Sequence, residues 1–142
     1  MAIVGVSPRK ENWGKALMVE LEKLEYKVLP VNPKFDKIED EKCYSSVADL
    51  PEEIENVIIA VNPELAEALI DQFEGSSVKR VWFQRGMGKG SYSEKAAEKL
   101  KEYKIEVIHG FCPMMFAGGG FHKFHFWLRK NLGKTPAEFS VN

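Results

Sequence analysis

The sequence predicts an α/β fold in three layers: a five-stranded parallel sheet with helices on both faces, followed by a C-terminal aromatic helix. Three observations predict it. Short apolar runs alternate with helical apolar periods through roughly residue 110. The runs are apolar throughout rather than at every second residue, as in strands buried on both faces. Turn chemistry separates them: Asn32-Pro33, Asp49-Leu50-Pro51 and the glycine-rich Gly86-Met87-Gly88-Lys89-Gly90.

Each element follows in order. Ile3 to Val6 read as a short buried strand. Leu17, Met18, Leu21 and Leu24 fall at helical spacing, with Glu20, Glu22 and Lys23 outside that face. Val28 to Val31 make a second strand, and the stretch after it is less regular. Val57 to Val61 form a strand, and Leu65, Ala66, Leu69, Ile70 and Phe73 a helix face. Arg80 to Phe83 are a fourth strand. Beyond the glycine-rich turn come a helix carrying Ala96, Ala97, Leu100 and Tyr103, then a strand at Ile105 to Ile108. Right-handed crossovers between such strands give a doubly wound, Rossmann-like sheet. Residues 1–142 read as one domain, with 113–142 a C-terminal extension. There, Phe121, Phe124, Leu128 and Leu132 share a face of a helix over 121–132. Phe126 and Trp127 add aromatic surface beside it, which predicts docking on the domain or a homodimer contact.

Composition narrows the function classes. The chain has 142 residues, 44% of them hydrophobic and 29% charged, with a formal net charge of -1. That balance suits a solvated surface over one core and gives no global field for nucleic acid. Two cysteines, Cys43 and Cys112, are too few for a disulfide scaffold. No leader pattern opens the chain and no apolar run is long enough to span a bilayer, so cytoplasmic residence is expected.

In a doubly wound sheet, ligands bind at the carboxyl ends of the strands. The first strand ends at Gly5-Val6-Ser7-Pro8, and a helix begins near Trp13-Gly14. The loop between them suits a phosphate, with Arg9 and Lys10 supplying charge. The dinucleotide pattern G-x-G-x-x-G fails, because Ser7 stands where the second glycine belongs. Asn32-Pro33-Lys34 replaces the carboxylate that would grip a ribose hydroxyl, and a lysine there fits a phosphorylated ribose, as in CoA or NADP.

Five pieces occur in matching order: Ile3-Val4-Gly5-Val6-Ser7, Val31-Asn32-Pro33, Lys42-Cys43-Tyr44, Asp49-Leu50-Pro51 and Val81-Trp82-Phe83-Gln84. Together they resemble the small stand-alone CoA-binding domain family, similar to the CoA-binding domain of the succinyl-CoA synthetase alpha subunit. The resemblance covers roughly residues 2–112 and implies coenzyme A held across the strand ends. It implies that Gly5, Val6, Ser7, Pro8, Trp13 and Gly14 form a pyrophosphate loop. Val31, Asn32, Pro33 and Lys34 would flank the adenosine, with Lys34 near its phosphate. Val61 and Asn62 would close the adenine side, and Gln84 would line the pantetheine path. The chain departs from the family pattern at Arg85 and in its aromatic C-terminal extension.

Other residues tempt. The resemblance also places a cysteine at Cys112, beyond the fifth strand, where it would face the coenzyme's thiol or act as a nucleophile. A buried, inert cysteine is the plainer reading. His109, Cys112, His122 and His125 have ligand chemistry but match no standard zinc spacing, so no metal site is expected. No Ser-His-Asp set or carboxylate pair can be placed at the strand ends. The leading expectation is therefore a non-catalytic module for CoA or an acyl-CoA. An NADP- or CoA-dependent enzyme using Cys112, and an interaction protein working through its aromatic helix, are the alternatives.

Overall fold

The computed structural model describes residues 1–85 and 90–117. Five strands form one sheet in the order β2-β1-β5-β6-β7, with every neighbouring pair parallel. They are β1 (Ala2–Val4), β2 (Leu29–Val31), β5 (Asn56–Ile59), β6 (Arg80–Phe83) and β7 (Glu106–Ile108). The strands at Lys37–Ile38 (β3) and Glu41–Lys42 (β4) pair antiparallel as a separate hairpin. Chain order therefore runs outward from β1 to β2, then reverses and runs outward again from β5 to β7. The reversal between β1 and β5 is the topological switch point of the sheet.

The apolar runs bury both faces, as their patterning predicts. Ala2, Val4, Val57, Ile59, Val81 and Phe83 point to one side, against Ala66 of helix α2 (Pro63–Leu69), Ile70 and Phe73 of the 3-10 turn after it, and Ala96, Ala97 and Leu100 of helix α3 (Glu94–Glu102). Ile3 and Ile58 point to the other side, against Leu17, Met18 and Leu21 of helix α1 (Trp13–Glu22). The short helix α4 (Met114–Ala117) also packs on α1. Fully burying one such aliphatic or aromatic side chain contributes roughly 1.5–3 kcal/mol, so this two-sided burial is the main stabilising term.

Several boundaries differ from the sequence reading. The first strand ends at Val4 rather than Val6, because Gly5 turns to φ +96°. Leu24 leaves the face of α1: the helix ends at Glu22, Glu25 reverses the chain at φ 65°, and Leu24 is 48% exposed. Leu65 is also exposed, because α2 turns Ala66 inward instead. The irregular stretch after the second strand holds the β3–β4 hairpin, tied to α1 by the Lys15–Glu39 ion pair.

β2 is an edge strand with a proline at its centre. Leu29 donates its N–H to Met1 O, and Gly5 donates to Val31 O, which joins β2 to β1. Pro30 faces the outer side, where its carbonyl accepts the Tyr44 N–H at 2.9 Å. The aromatic helix expected over 121–132, with the dimer contact assigned to it, and Gly86 to Lys89 of the glycine-rich turn lie outside the described residues.

Candidate functional site

A cavity of about 490 Å³ opens at the carboxyl ends of β1, β2 and β5, at the switch point. Val4, Gly5, Ser7, Arg9 and Asn12 line it from β1 and its loop. Val31, Asn32, Pro33, Lys34, Phe35 and Ser45 line it from β2 and the segment beyond. Val61, Leu65, Ala68, Leu69 and Gln72 complete it from β5, α2 and the turn after α2. Arg9 and Lys34 bring positive charge, and no carboxylate is among these lining residues. An apolar slot with cations at its mouth suits an anionic ligand carrying a flat hydrophobic part. A second, smaller cavity lies at the opposite sheet edge, where Asn56, Arg80 and Glu106 begin their strands. Arg80 pairs with Glu106 there at 2.7 Å, so that edge is already charge-matched.

Two asparagines set the shape of the first cavity. Asn12 is the N-cap of α1: its Oδ1 accepts the Lys15 N–H at 2.7 Å and the Ser7 N–H at 3.1 Å. Its Nδ2 donates to Gly5 O at 3.0 Å. One side chain thus pins both ends of the loop and the first turn of the helix. Asn32 does the same between strands: Nδ2 donates to Val6 O at 2.8 Å, and Oδ1 accepts the Lys34 N–H at 3.0 Å. That second bond is an Asx turn, which sends Lys34 and Phe35 back over the cavity.

Gly5 is required twice over. Its φ of +96° lies in the left-handed region, and a Cβ there would stand 2.6 Å from Val61 Cγ1 and 2.8 Å from Ala60 O. Gly14 is required by proximity, since a Cβ would lie 3.1 Å from both Gly5 O and Val6 N. This approach draws the start of α1 onto the β1 loop.

The residues singled out from sequence are distributed as follows. Gly5, Ser7, Val31, Asn32, Pro33, Lys34 and Val61 line the cavity. Val6 is wholly buried under α1, and Gly14 is buried beside the loop. Pro8, Lys10 and Trp13 are exposed and outside the lining. Asn62 caps α2, its Oδ1 accepting the Leu65 N–H at 2.8 Å. The Ser7 N–H, which a phosphate would otherwise use, is already given to Asn12.

Gln84 and Cys112 stand farther along the carboxyl edge. Gln84 is 7% exposed and continues the ladder from β6, its N–H donating to Ile59 O. Its Nε2 is buried and has no hydrogen-bond partner among the described residues. Cys112 is partly buried and packs against the core on the α1 side, the cluster that holds Ile3, Ile58 and Met114. Burial pushes its thiol pKa up, against weaker lowering by the Met114 and Met115 N–H groups. At β7, the His109 ring stacks on Tyr92 at 4.1 Å, and Tyr92 meets Phe83 edge-on at 5.6 Å. Among the described residues, no group of three or more His, Cys, Asp or Glu side chains could hold a metal ion. His122 and His125 lie outside those residues. No described helix is long and apolar enough to cross a membrane.

Sequence reasoning missed Asn12, Phe35, Ser45, Ala68 and Gln72, and read Leu65 and Leu69 only as core. Asn12 had a signal, since an asparagine just before a helix start is a capping residue. The others come from separate elements that only the fold brings together.

A parallel sheet ordered this way, with a cavity at its switch point, defines a Rossmann-like domain of the doubly wound class. More narrowly, the chain belongs to the CoA-binding domain family, whose sequence profile matches residues 1–117. It is 32% identical over 116 residues to an ADP-forming acetate–CoA ligase of Methanocaldococcus jannaschii, a match covering 79% of this chain and 16% of the ligase. The chain thus spans about a sixth of that relative's length. It is 26% identical over 112 residues to the uncharacterised protein YneT of Bacillus subtilis, covering 79% of this chain and 80% of YneT. Among solved structures, a conserved hypothetical protein from Pyrococcus furiosus superposes with a TM-score of 0.74 at 31% identity, over 81% of this chain and 96% of that one. A hypothetical protein from Pyrococcus horikoshii gives 0.71 at 35% identity, over 80% and 77% of the two chains.

Proposed function

We propose that the chain binds coenzyme A or an acyl-CoA as a small non-catalytic module. One observation carries the reading: the cavity at the switch point is lined by Arg9 and Lys34 and, among the described residues, by no carboxylate, in a chain of the CoA-binding family. In this reading, the adenosine occupies the cavity between Val61 and the Asn32–Phe35 turn. Lys34 meets the ribose phosphate. The pantetheine arm runs along the carboxyl edge past β6, where the unpartnered Gln84 Nε2 donates to one of its carbonyls. From β2 to β7 that edge spans four strand spacings, roughly 19 Å at about 4.8 Å each, which favours a nucleotide with a long arm over a bare nucleotide. The raised thiol pKa of Cys112 argues against a nucleophile, since the thiolate is the reactive form.

Calorimetric titration tests the proposal. CoA should bind, dephospho-CoA should bind more weakly, and NAD should bind weakest. Lys34→Ala should weaken CoA by about tenfold or more, the loss of a charge-assisted contact of about 1.5–3 kcal/mol, and leave dephospho-CoA nearly unchanged. Equal affinity for CoA and NAD overturns the reading.

A further inference from the structure

We propose that Gln72 and Ser45 select adenine in the cavity; the proposal rests on the coenzyme reading above. Gln72 belongs to the 3-10 turn Ile70–Phe73 that follows α2, and it lines the cavity beside Leu65, Ala68 and Leu69. Its Oε1 accepts the Val47 N–H at 3.0 Å. A carboxamide carries its acceptor on one side and its donors on the other. With the oxygen held by backbone, the group cannot flip profitably, and what it offers a ligand is the Nε2 donor.

Ser45 has the opposite character. It stands two residues before Val47 and lines the same cavity. Its hydroxyl donates to Asp49 Oδ2 at 2.9 Å, and the Ser46 hydroxyl donates to the same oxygen at 2.7 Å. Those two bonds, Ser46's the larger, hold the Asp49 carboxyl below its ordinary pKa, so it stays an acceptor. The Ser45 proton is therefore committed, and what its oxygen can offer a ligand is lone pairs. The cavity wall thus carries a donor and an acceptor beside an apolar slot of Val61, Leu65 and Leu69. Adenine matches that set with a ring-nitrogen acceptor next to an exocyclic amino donor. Hypoxanthine reverses the order, with an oxygen acceptor next to a ring N–H.

The test uses the intact chain with adenosine 3′,5′-bisphosphate, inosine 3′,5′-bisphosphate and CoA as probes. On the wild type, the adenosine probe should bind about tenfold tighter than the inosine probe, as one mispaired polar edge would cost. Gln72→Glu keeps the acceptor for Val47 and replaces the donor with a second acceptor. It should weaken the adenosine probe by about tenfold and erase the preference over inosine. Adenosine and inosine probes binding the wild type within about twofold of each other overturn the proposal, whether or not the variant folds. So does a folded Gln72→Glu protein with unchanged preference. A wild type that binds CoA but neither bisphosphate also overturns it, and leaves the coenzyme reading standing. A wild type that binds none of the three removes both.

Discussion

The two halves of the carboxyl edge are built on opposite plans. At β1, β2 and β5, side chains of the protein itself tie the loops, and the Ser7, Lys34 and Leu65 N–H groups are given to asparagine oxygens. Asn12 makes three hydrogen bonds to the β1 loop and α1, and Asn32 makes two that join the β1 loop to the turn after β2. At β6, by contrast, Gln84 keeps a buried amide nitrogen with no partner among the described residues. The first region is shaped before any ligand arrives, so little ordering entropy remains to be lost on binding. The second keeps an unmet donor, which costs folding free energy until an acceptor comes. A rigid socket for one end of a ligand and a polar vacancy for the other suit a long molecule gripped mainly at its head.

That comparison can be broken at the socket. Gly5→Ala should have the largest effect. The new Cβ meets Val61 and Ala60 at under 3 Å while the backbone stays at φ +96°. Strain and overpacking each cost about 1–3 kcal/mol, so urea denaturation should show a loss of roughly 2–6 kcal/mol. A loss below about 1 kcal/mol would mean that the loop relaxes freely and is not a preset socket. Asn12→Ala comes next. Loss of an N-cap costs about 0.5–2 kcal/mol, and here the Ser7 and Gly5 bonds go with it, so the upper half of that range is expected. CoA affinity should fall as well, which calorimetry would read. Unchanged affinity in the destabilised variant would separate loop order from binding.

The β6 half sharpens the contrast with the opposite sign. Gln84→Met removes the unpartnered amide at similar volume, and should stabilise the free protein by about 1 kcal/mol in chemical denaturation. The extra melting temperature conferred by CoA should shrink in the same variant. A Gln84→Met protein less stable than wild type would show that the amide already serves the fold. The smallest effect concerns Cys112. Burial raises its thiol pKa, so the folded state holds the proton more tightly than the unfolded chain. That stabilisation is complete below the ordinary thiol value, about 8.5, and is lost as pH rises through the higher folded value. Alkylation of Cys112 followed by mass spectrometry should accordingly lag a free thiol at neutral pH and accelerate only above that range. Rapid neutral-pH alkylation would return Cys112 to the list of nucleophiles.

The sheet was legible in the sequence because its signal is local. Val57 to Val61 and Arg80 to Phe83 announce themselves as uninterrupted apolar or near-apolar runs, and the structure pairs Asn56–Ile59, two residues shorter at its end than that run, with Arg80–Phe83 in register as β5 and β6. The β3–β4 hairpin was not legible. Two-residue strands such as Lys37–Ile38 and Glu41–Lys42 carry no period, and their reversal is set by Glu39 at φ 51°. The site divides the same way. Lys34 could be found because Asn32-Pro33 ends a readable strand. Gln72 could not, because it lies 27 residues beyond Ser45 and is brought to that segment by the fold, where it accepts the Val47 N–H. Leu65 misled for a related reason: helical spacing identifies an apolar side chain but cannot distinguish a core wall from the wall of a cavity.

Pro30 has a bearing on how these molecules meet one another in a crowded solution. A bare edge strand is a template on which another chain can add itself, and parallel sheets expose such templates while they fold. Here the middle of the edge has no amide hydrogen to give, and its carbonyl is taken by Tyr44. A neighbour arriving alongside β2 finds neither half of the bond it needs at that position. Growth of the sheet past β2 into a fibre-like ladder is blocked there by the Pro30 ring together with Tyr44, which bridges Val31 in parallel and also accepts the Asn32 N–H, at no cost to the pairing with β1.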